Sequence, residues 1–228
     1  MLCPQTGRTF KTGDAASRGM LAIAGGKGGC GKTTTALGLA RALATVTAAR
    51  PLVVDTDRDM PNLHHRAGVD PSPGLDEWPP GTDPAALARP VPRFRGVDVL
   101  TCQGASAAAV STGLDALARR DRTVLLDCPA GAGPDAAVPL RAADRTVLVS
   151  TPTEQSLTDT AKTAAVAREL DAPPALAVLV GSDGTVDPTP LLSCEPTVHV
   201  PAKSAPLASD AVERAYRAAV EILNKRNT

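Results

Sequence analysis

The sequence predicts an α/β protein with a doubly wound, mostly parallel sheet of about seven strands and helices on both faces. Short apolar runs alternate with longer stretches rich in alanine and leucine, as in parallel sheets whose strands are connected by helices. The apolar runs lie at 21–25, 52–57, 97–101, 123–127, 146–150, 175–180 and 197–200. Several intervening segments carry apolar residues at spacings of three and four, the period of a helix with one buried face. We expect Ser156 to cap one such helix, over 157–170.

The length and composition favour a single domain with an aliphatic core. A chain of 228 residues is long enough for one large domain. We expect residues 1–19 to be a flexible arm and residues 20–228 to be the domain. Within it, the segment 70–96 holds seven of the 21 prolines, which predicts an irregular insertion on the surface. Only four residues are aromatic: Phe10, Trp78, Phe94 and Tyr216.

Charge and cysteine content exclude several classes of protein. The formal net charge is zero, so the overall balance does not argue for nucleic acid or an anionic membrane as a partner. No apolar run approaches the roughly 20 residues of a membrane span, and no leader peptide is apparent, so we expect a cytoplasmic protein. The five cysteines form no C-x-x-C pair, which argues against zinc-ribbon and redox motifs. They are Cys3, Cys30, Cys102, Cys128 and Cys194.

A glycine-rich stretch after the first predicted strand fits the phosphate-loop pattern G-x-x-x-x-G-K-[ST] at residues 26–33. Glycines let backbone N–H groups turn toward an anion, and the following helix adds partial positive charge. Lys32 would reach the β- and γ-phosphates, and the Thr33 hydroxyl would hold Mg²⁺. A second lysine, Lys27, would be repelled by Lys32 unless a polyanion neutralised both. The candidate nucleotide-binding residues of this loop are Gly26, Lys27, Gly28, Gly29, Cys30, Gly31, Lys32, Thr33 and Thr34.

Acidic residues end two of the predicted strands. Asp55 and Asp57 close the run LVVDTD, and Asp127 closes the run TVLLD. The carboxyl ends of parallel strands meet at one edge of the sheet, where open α/β sheets bind ligands. Carboxylates are suitable ligands for Mg²⁺. We therefore expect Asp127, together with Thr33, to hold the Mg²⁺ ion.

Three motifs in this order make the sequence similar to the MinD/ParA family of ATPases, which have a deviant phosphate loop, and to its MinD-like subgroup. They are GGKGGCGKTT at 25–34, D-x-D at 55–57 followed by Asn62-Leu63, and DCPAG at 127–131. The resemblance implies ATP and Mg²⁺ as cofactors and a homodimer that forms with ATP. It also implies that Lys27 reaches the partner's nucleotide and that Asp57 orients or activates the attacking water. Asp55 would support the metal site that Thr33 and Asp127 form. The candidate catalytic residues are thus Lys27, Lys32 and Asp57.

The resemblance also implies a function. Such a protein would be a switch that hydrolyses ATP slowly without an activating partner and positions or partitions a protein complex or a cell-division or motility component. The chain departs from the family pattern at 181–183, Gly-Ser-Asp, where many members carry an asparagine that contacts the base. Backbone groups near Pro201 would then contact the base instead. Few residues follow Leu223, so we expect no autonomous membrane anchor.

Three alternative functions remain open from the sequence. A ParA-like partition ATPase would bind DNA nonspecifically, and Arg214, Arg217, Lys225 and Arg226 provide a small basic surface. A metal-cluster carrier would use cysteines on nucleotide-facing loops, such as Cys30 and Cys128. A nucleotide-binding scaffold would hydrolyse nothing.

Overall fold

An eight-stranded sheet forms the centre of the computed structural model, which describes residues 19–47, 49–79 and 81–225. The predicted arm therefore lies outside the described residues, apart from Gly19. The strands are β1 (Gly19–Ala24), β2 (Leu52–Asp55), β3 (Arg89–Pro90), β4 (Asp98–Leu100), β5 (Thr123–Asp127), β6 (Arg145–Ser150), β7 (Pro174–Val180) and β8 (Thr197–Val200). Their order is β3-β4-β2-β5-β1-β6-β7-β8. All neighbouring pairs are parallel except β3 with β4, so the predicted fold class is confirmed.

Helices cover both faces of this sheet. They are α1 (Lys32–Val46), α2 (Leu63–Ala67), α3 (Ala107–Leu117), α4 (Pro134–Ala142), α5 (Glu154–Glu169), α6 (Thr189–Leu192) and α7 (Asp210–Lys225). The side chains of β1 alternate between two cores: Ile23 packs in the core that includes α1 and α7, whereas Ala22 and Ala24 pack in the core that includes α3 and α4. None of the helices in the described ranges is long and apolar enough to cross a bilayer.

The strand that the sequence pattern does not reveal is β3. It contains two residues, Arg89 and Pro90, and lies within the proline-rich segment 70–96. Its position depends on antiparallel pairing with β4, and the Val91 N–H next to it donates to the Val97 carbonyl at 2.9 Å. Proline is tolerated on an edge strand because one side of that strand needs no ladder hydrogen bonds. Because β3 has no apolar alternation, the sequence predicts seven strands, whereas the sheet of the described residues has eight.

Helix α5 begins three residues earlier than the sequence pattern indicates. Thr153 is its N-cap, and its hydroxyl accepts a hydrogen bond from the Ser156 N–H at 3.3 Å. The prediction that Ser156 caps this helix is wrong, because the Ser156 hydroxyl lies inside the helix and contacts the Ser150 hydroxyl at 2.9 Å. The earlier start carries the first turn of α5 toward the end of β6.

Close packing of α7 on α1 closes one face of the sheet. Tyr216 is buried against Gly38, and its hydroxyl lies 3.1 Å from the Thr35 hydroxyl. A Cβ atom on Gly38 would lie 2.2 Å from Cε2 of the Tyr216 ring, closer than real contacts allow. The absence of a side chain at position 38 therefore sets the distance between the two helices, and α1 is the helix that begins at the phosphate loop.

Substitution Gly38→Ala tests this contact. Alanine normally favours a helix interior over glycine by about 1 kcal/mol, but overpacking against the buried ring should outweigh that gain. We expect the free energy of unfolding to fall by about 1–3 kcal/mol in urea denaturation. In a Tyr216→Ala background the same change should be neutral or stabilising. An equal destabilisation in both backgrounds would contradict this explanation.

Candidate nucleotide-binding site

The glycine-rich loop connects β1 to α1 and ends in an open helix N-terminus. Gly29 and Gly31 have φ angles of 78° and 101°, a left-handed backbone conformation that residues with a side chain rarely adopt. Gly31 is the N-cap of α1 and supplies no side-chain hydrogen bond, so N–H groups of the first turn stay available for an anion. The Lys32 side chain is buried, and its ammonium donates to the Lys27 carbonyl at 3.3 Å across the loop. This geometry fits the phosphate cradle that the sequence predicts.

The two ends of the loop differ in how closely other elements approach. Gly26 donates its N–H to the Thr160 hydroxyl at 3.3 Å, and a Cβ atom there would lie 2.1 Å from the Asp159 backbone. Gly28 and Gly29 instead border open space, and the Lys27 side chain is exposed. Helix α5 thus supports the loop from one side and leaves its tip free. Of the other predicted loop residues, Cys30 is buried and Thr34 is half-buried.

Two buried carboxylates lie beside the loop at the carboxyl edge of the sheet. Asp55 ends β2 and Asp127 ends β5, and the two residues are directly paired in register. Asp55 accepts N–H bonds from Asp57 at 3.0 Å and Leu63 at 3.2 Å. The Oδ1 atom of Asp127 is buried and has no hydrogen-bond partner among the described residues. An orphaned carboxylate oxygen is the kind of group that a bound cation would satisfy.

Burial and mutual repulsion make this pair hard to ionise without a cation. Burial, then the charge of Asp55, raise the pKa of Asp127 to about 8, and the nearby Thr33 hydroxyl partly opposes the increase. Burial likewise raises the pKa of Asp55 to about 6. The Thr33 hydroxyl donates to the Asn62 Oδ1 at 2.9 Å, a bond that uses its hydrogen and not the lone pairs of its oxygen. The residues present therefore fit a hard divalent cation such as Mg²⁺.

Asp57 lies on the loop that leaves this edge. It stands two residues after β2, is half-buried, and accepts the Met60 N–H at 3.0 Å. Thr56, between the two aspartates, donates its N–H and hydroxyl to the Asp127 carbonyl at 3.1 and 2.8 Å. The Asp57 loop therefore begins at the carboxyl edge of the sheet, but the Asp57 carboxylate bonds within its own loop.

The DCPAG loop and the end of β8 complete the surroundings. Gly131 donates its N–H to the Gly25 carbonyl at 3.1 Å, so the loop after β5 touches the phosphate loop. Pro201 directly follows β8, and the Gly181 and Ser182 N–H groups donate to Val200 beside it at 2.8 and 3.1 Å. Val180 lies against Gly31, which brings this end of the sheet to the phosphate loop as well. Cys30 and Cys128 are buried thiols, and no group of three or more His, Cys, Asp or Glu side chains in the described ranges is placed to hold a metal ion.

Sequence reasoning did not assign three contacts of this site. Asn62 is visible in the sequence as part of a motif, but its bond to Thr33 depends on how the loop returns to α1. The contact of Thr160 with Gly26 joins residues 134 positions apart. The Ser182 hydroxyl lies 2.9 Å from Nδ1 of His199 at the end of the sheet where Pro201 lies. No local pattern signals the last two contacts.

Alanine substitutions at Gly26 and Gly28 form a matched pair. Gly26→Ala would force a Cβ into the backbone of α5, whereas Gly28→Ala projects into open space from a backbone that alanine can adopt. We expect Gly26→Ala to lower the free energy of unfolding by about 2–4 kcal/mol and Gly28→Ala to change it by less than about 0.5 kcal/mol. Urea denaturation without nucleotide measures both. Equal effects would contradict the described approach of α5.

The raised pKa of Asp127 predicts a pH dependence of stability without metal or nucleotide. Unfolding releases the Asp127 proton at any pH between its ordinary pKa of about 4 and the folded value of about 8, so the native state loses stability as pH rises through this window. Asp127→Asn removes this titration. We expect its free energy of unfolding to fall less steeply than that of the wild type between about pH 4 and pH 8. Parallel pH profiles in urea denaturation would contradict the burial of an unpaired carboxyl.

Comparisons with known proteins agree with this geometry. A family model described as the CobQ/CobB/MinD/ParA nucleotide binding domain matches residues 21–183. An ATP-binding protein of Methanocaldococcus jannaschii is 30% identical over 165 residues, which are 66% of this chain and 59% of that protein. This chain therefore aligns with less than two thirds of that curated relative.

Solved structures show the same fold over nearly the whole chain. The cell division ATPase MinD of Pyrococcus furiosus superposes with a TM-score of 0.79 and 25% identity, covering 91% of this chain and 98% of that one. The septum site-determining protein MinD of Pyrococcus horikoshii, solved with Mg-ADP, gives 0.74 and 22%, covering 92% and 95%. Together with the family match, these similarities show that the chain belongs to the MinD/ParA family of nucleotide-binding proteins.

Proposed function

We propose that this protein is an ATPase that binds ATP with Mg²⁺, dimerises around them and acts as a cytoplasmic switch. Its task would be to position or partition a protein complex or a cell-division or motility component. The observation that carries the proposal is the pair Asp55 and Asp127, buried side by side next to the phosphate loop with one oxygen unpartnered. Such a pair is costly unless a cation binds there.

The phosphate-binding role rests on the open start of α1. Backbone N–H groups of the loop after Gly26, as far as Thr34, would surround the phosphates, and the buried Lys32 ammonium would add a positive charge beside them. The Thr33 hydroxyl and Asp127 would hold Mg²⁺, with Asp55 supporting them. When bound, the metal ion neutralises phosphate charge and orients the nucleotide. Backbone groups near Pro201 would contact the base.

Lys27 would act on the nucleotide of a second copy. Its side chain is exposed at the tip of the loop, and no described carboxylate forms an ion pair with it. A cation held at the tip, beyond Gly28 and Gly29, is well placed to stabilise charge that develops on a nucleotide facing it. This arrangement makes the active site complete only in the dimer.

Asp57 would orient the attacking water. Its loop starts at the carboxyl edge of the sheet, and in this structure its carboxylate accepts a hydrogen bond from the Met60 N–H. Exchange of that bond for a water molecule requires only a local change of the loop. An activating or cargo protein that binds near this loop would control the slow basal hydrolysis.

A DNA-binding role has weaker support in the structure. Among the cations that it would use, Arg217 is paired with Glu213 at 2.9 Å, and Arg226 lies outside the described residues. Pairing lowers the charge available for phosphate contacts.

Turnover of Mg-ATP by three variants tests the mechanism. We expect Lys27→Ala and Asp57→Ala each to lower kcat by about 10²-fold or more, since each removes a group acting in the transition state. Lys225→Ala, in the last turn of α7, is the matched control for loss of a lysine charge and should stay within about twofold. Equal rates for all variants would contradict the assigned roles, and a wild type without turnover would favour a scaffold that only binds nucleotide.

A further inference from the structure

An ion pair joins the loop after β2 to the first turn of α4, near the carboxyl edge of the sheet. The guanidinium of Arg58 lies 2.5 Å from the Asp135 carboxylate. Arg58 belongs to the loop after β2, and Asp135 is in the first turn of α4, which follows the DCPAG loop after β5. The Arg58 side chain is 27% exposed and that of Asp135 is 50% exposed. Among the described residues, no other ion pair joins these two loops.

The pair completes a two-point attachment of the segment that carries Asp57. On one side of Asp57, Thr56 is fixed to the Asp127 carbonyl by two hydrogen bonds. On the other side, Arg58 is fixed to Asp135. Asp57 stands between these two anchors, and a residue held on both sides has fewer accessible backbone conformations. Both anchors belong to the chain segment that starts at Asp127.

We propose that Arg58 and Asp135 are positioning residues for Asp57, holding it in register with the carboxylate edge so that the two loops respond to nucleotide together. The inference rests on the proposed ATPase function, since it assigns a role in orienting Asp57 for hydrolysis. Arg58 and Asp135 form no hydrogen bond with the described residues of the phosphate loop. The pair therefore acts on the rate of hydrolysis and not on affinity for ATP. A pair with this exposure supplies about threefold to fivefold in rate.

Steady-state kinetics of paired variants test the coupling. Arg58→Gln and Asp135→Asn should each lower kcat about threefold to fivefold with KM for ATP unchanged, and the double variant should be no slower than either single variant. Asp135→Glu keeps the charge and should recover most of the rate. Arg120→Gln breaks an ion pair of similar exposure with Asp83, 3.4 Å long and away from these loops, and should leave kcat unchanged. Additive losses, or kcat values like that of Arg120→Gln, would overturn the proposal.

Amide hydrogen exchange without nucleotide gives a test that does not need hydrolysis. Asp135→Asn should speed exchange of the Met60 N–H, which bonds to Asp57, about threefold to fivefold, although position 135 is distant in sequence. Arg120→Gln should leave that exchange unchanged. Unaltered exchange at 57–60 in Asp135→Asn would overturn the positioning role. If the wild type turns over no ATP but Asp135→Asn still speeds this exchange, the proposed ATPase activity alone is refuted.

Discussion

Two carboxylates at one edge of a parallel sheet constrain the arrangement of this molecule. Asp55 and Asp127 are buried and paired in register, so their charges repel each other where water cannot screen them. Elements around them supply partial compensation: the turn into α2 gives Asp55 an N–H bond from Leu63, and Thr56 bonds to the Asp127 backbone. The Oδ1 atom of Asp127 receives no such hydrogen bond from the described residues, and it lies beside the phosphate loop. This unpartnered oxygen is the observation on which the proposed cation site rests.

Local sequence patterns are sufficient to predict the central part of this site. The phosphate loop is a continuous segment whose glycines and lysine act through its own backbone, so spacing alone identifies it. Asp55 and Asp127 follow apolar runs, and parallel pairing brings the ends of such runs to one edge. Seven strands are predictable because each is a short apolar run in the sequence. Burial of both carboxylates follows from the central position of β2 and β5 in the sheet.

Features that depend on tertiary contact could not be predicted. Strand β3 is fixed by pairing with β4 and carries no apolar period, so no pattern indicates it. At the start of α5, residue type favours Ser156 slightly over Thr153 as a cap, but the Ser156 hydroxyl is engaged by Ser150 and Thr153 caps the helix. The ion pair of Arg58 with Asp135 joins positions 77 residues apart, and surface charges carry no signal of their partners.

Binding of Mn²⁺, a spectroscopic substitute for Mg²⁺, tests the central claim most directly. Electron paramagnetic resonance of the purified protein with ADP should show a single tightly bound ion per chain, and Asp127→Asn should bind the nucleotide but lose most of that ion. Calorimetry of ADP binding with and without the metal provides the matching affinity. Nucleotide binding of equal affinity with and without Mn²⁺, together with no bound ion in the wild type, would contradict the assignment of the carboxylate edge as a metal site.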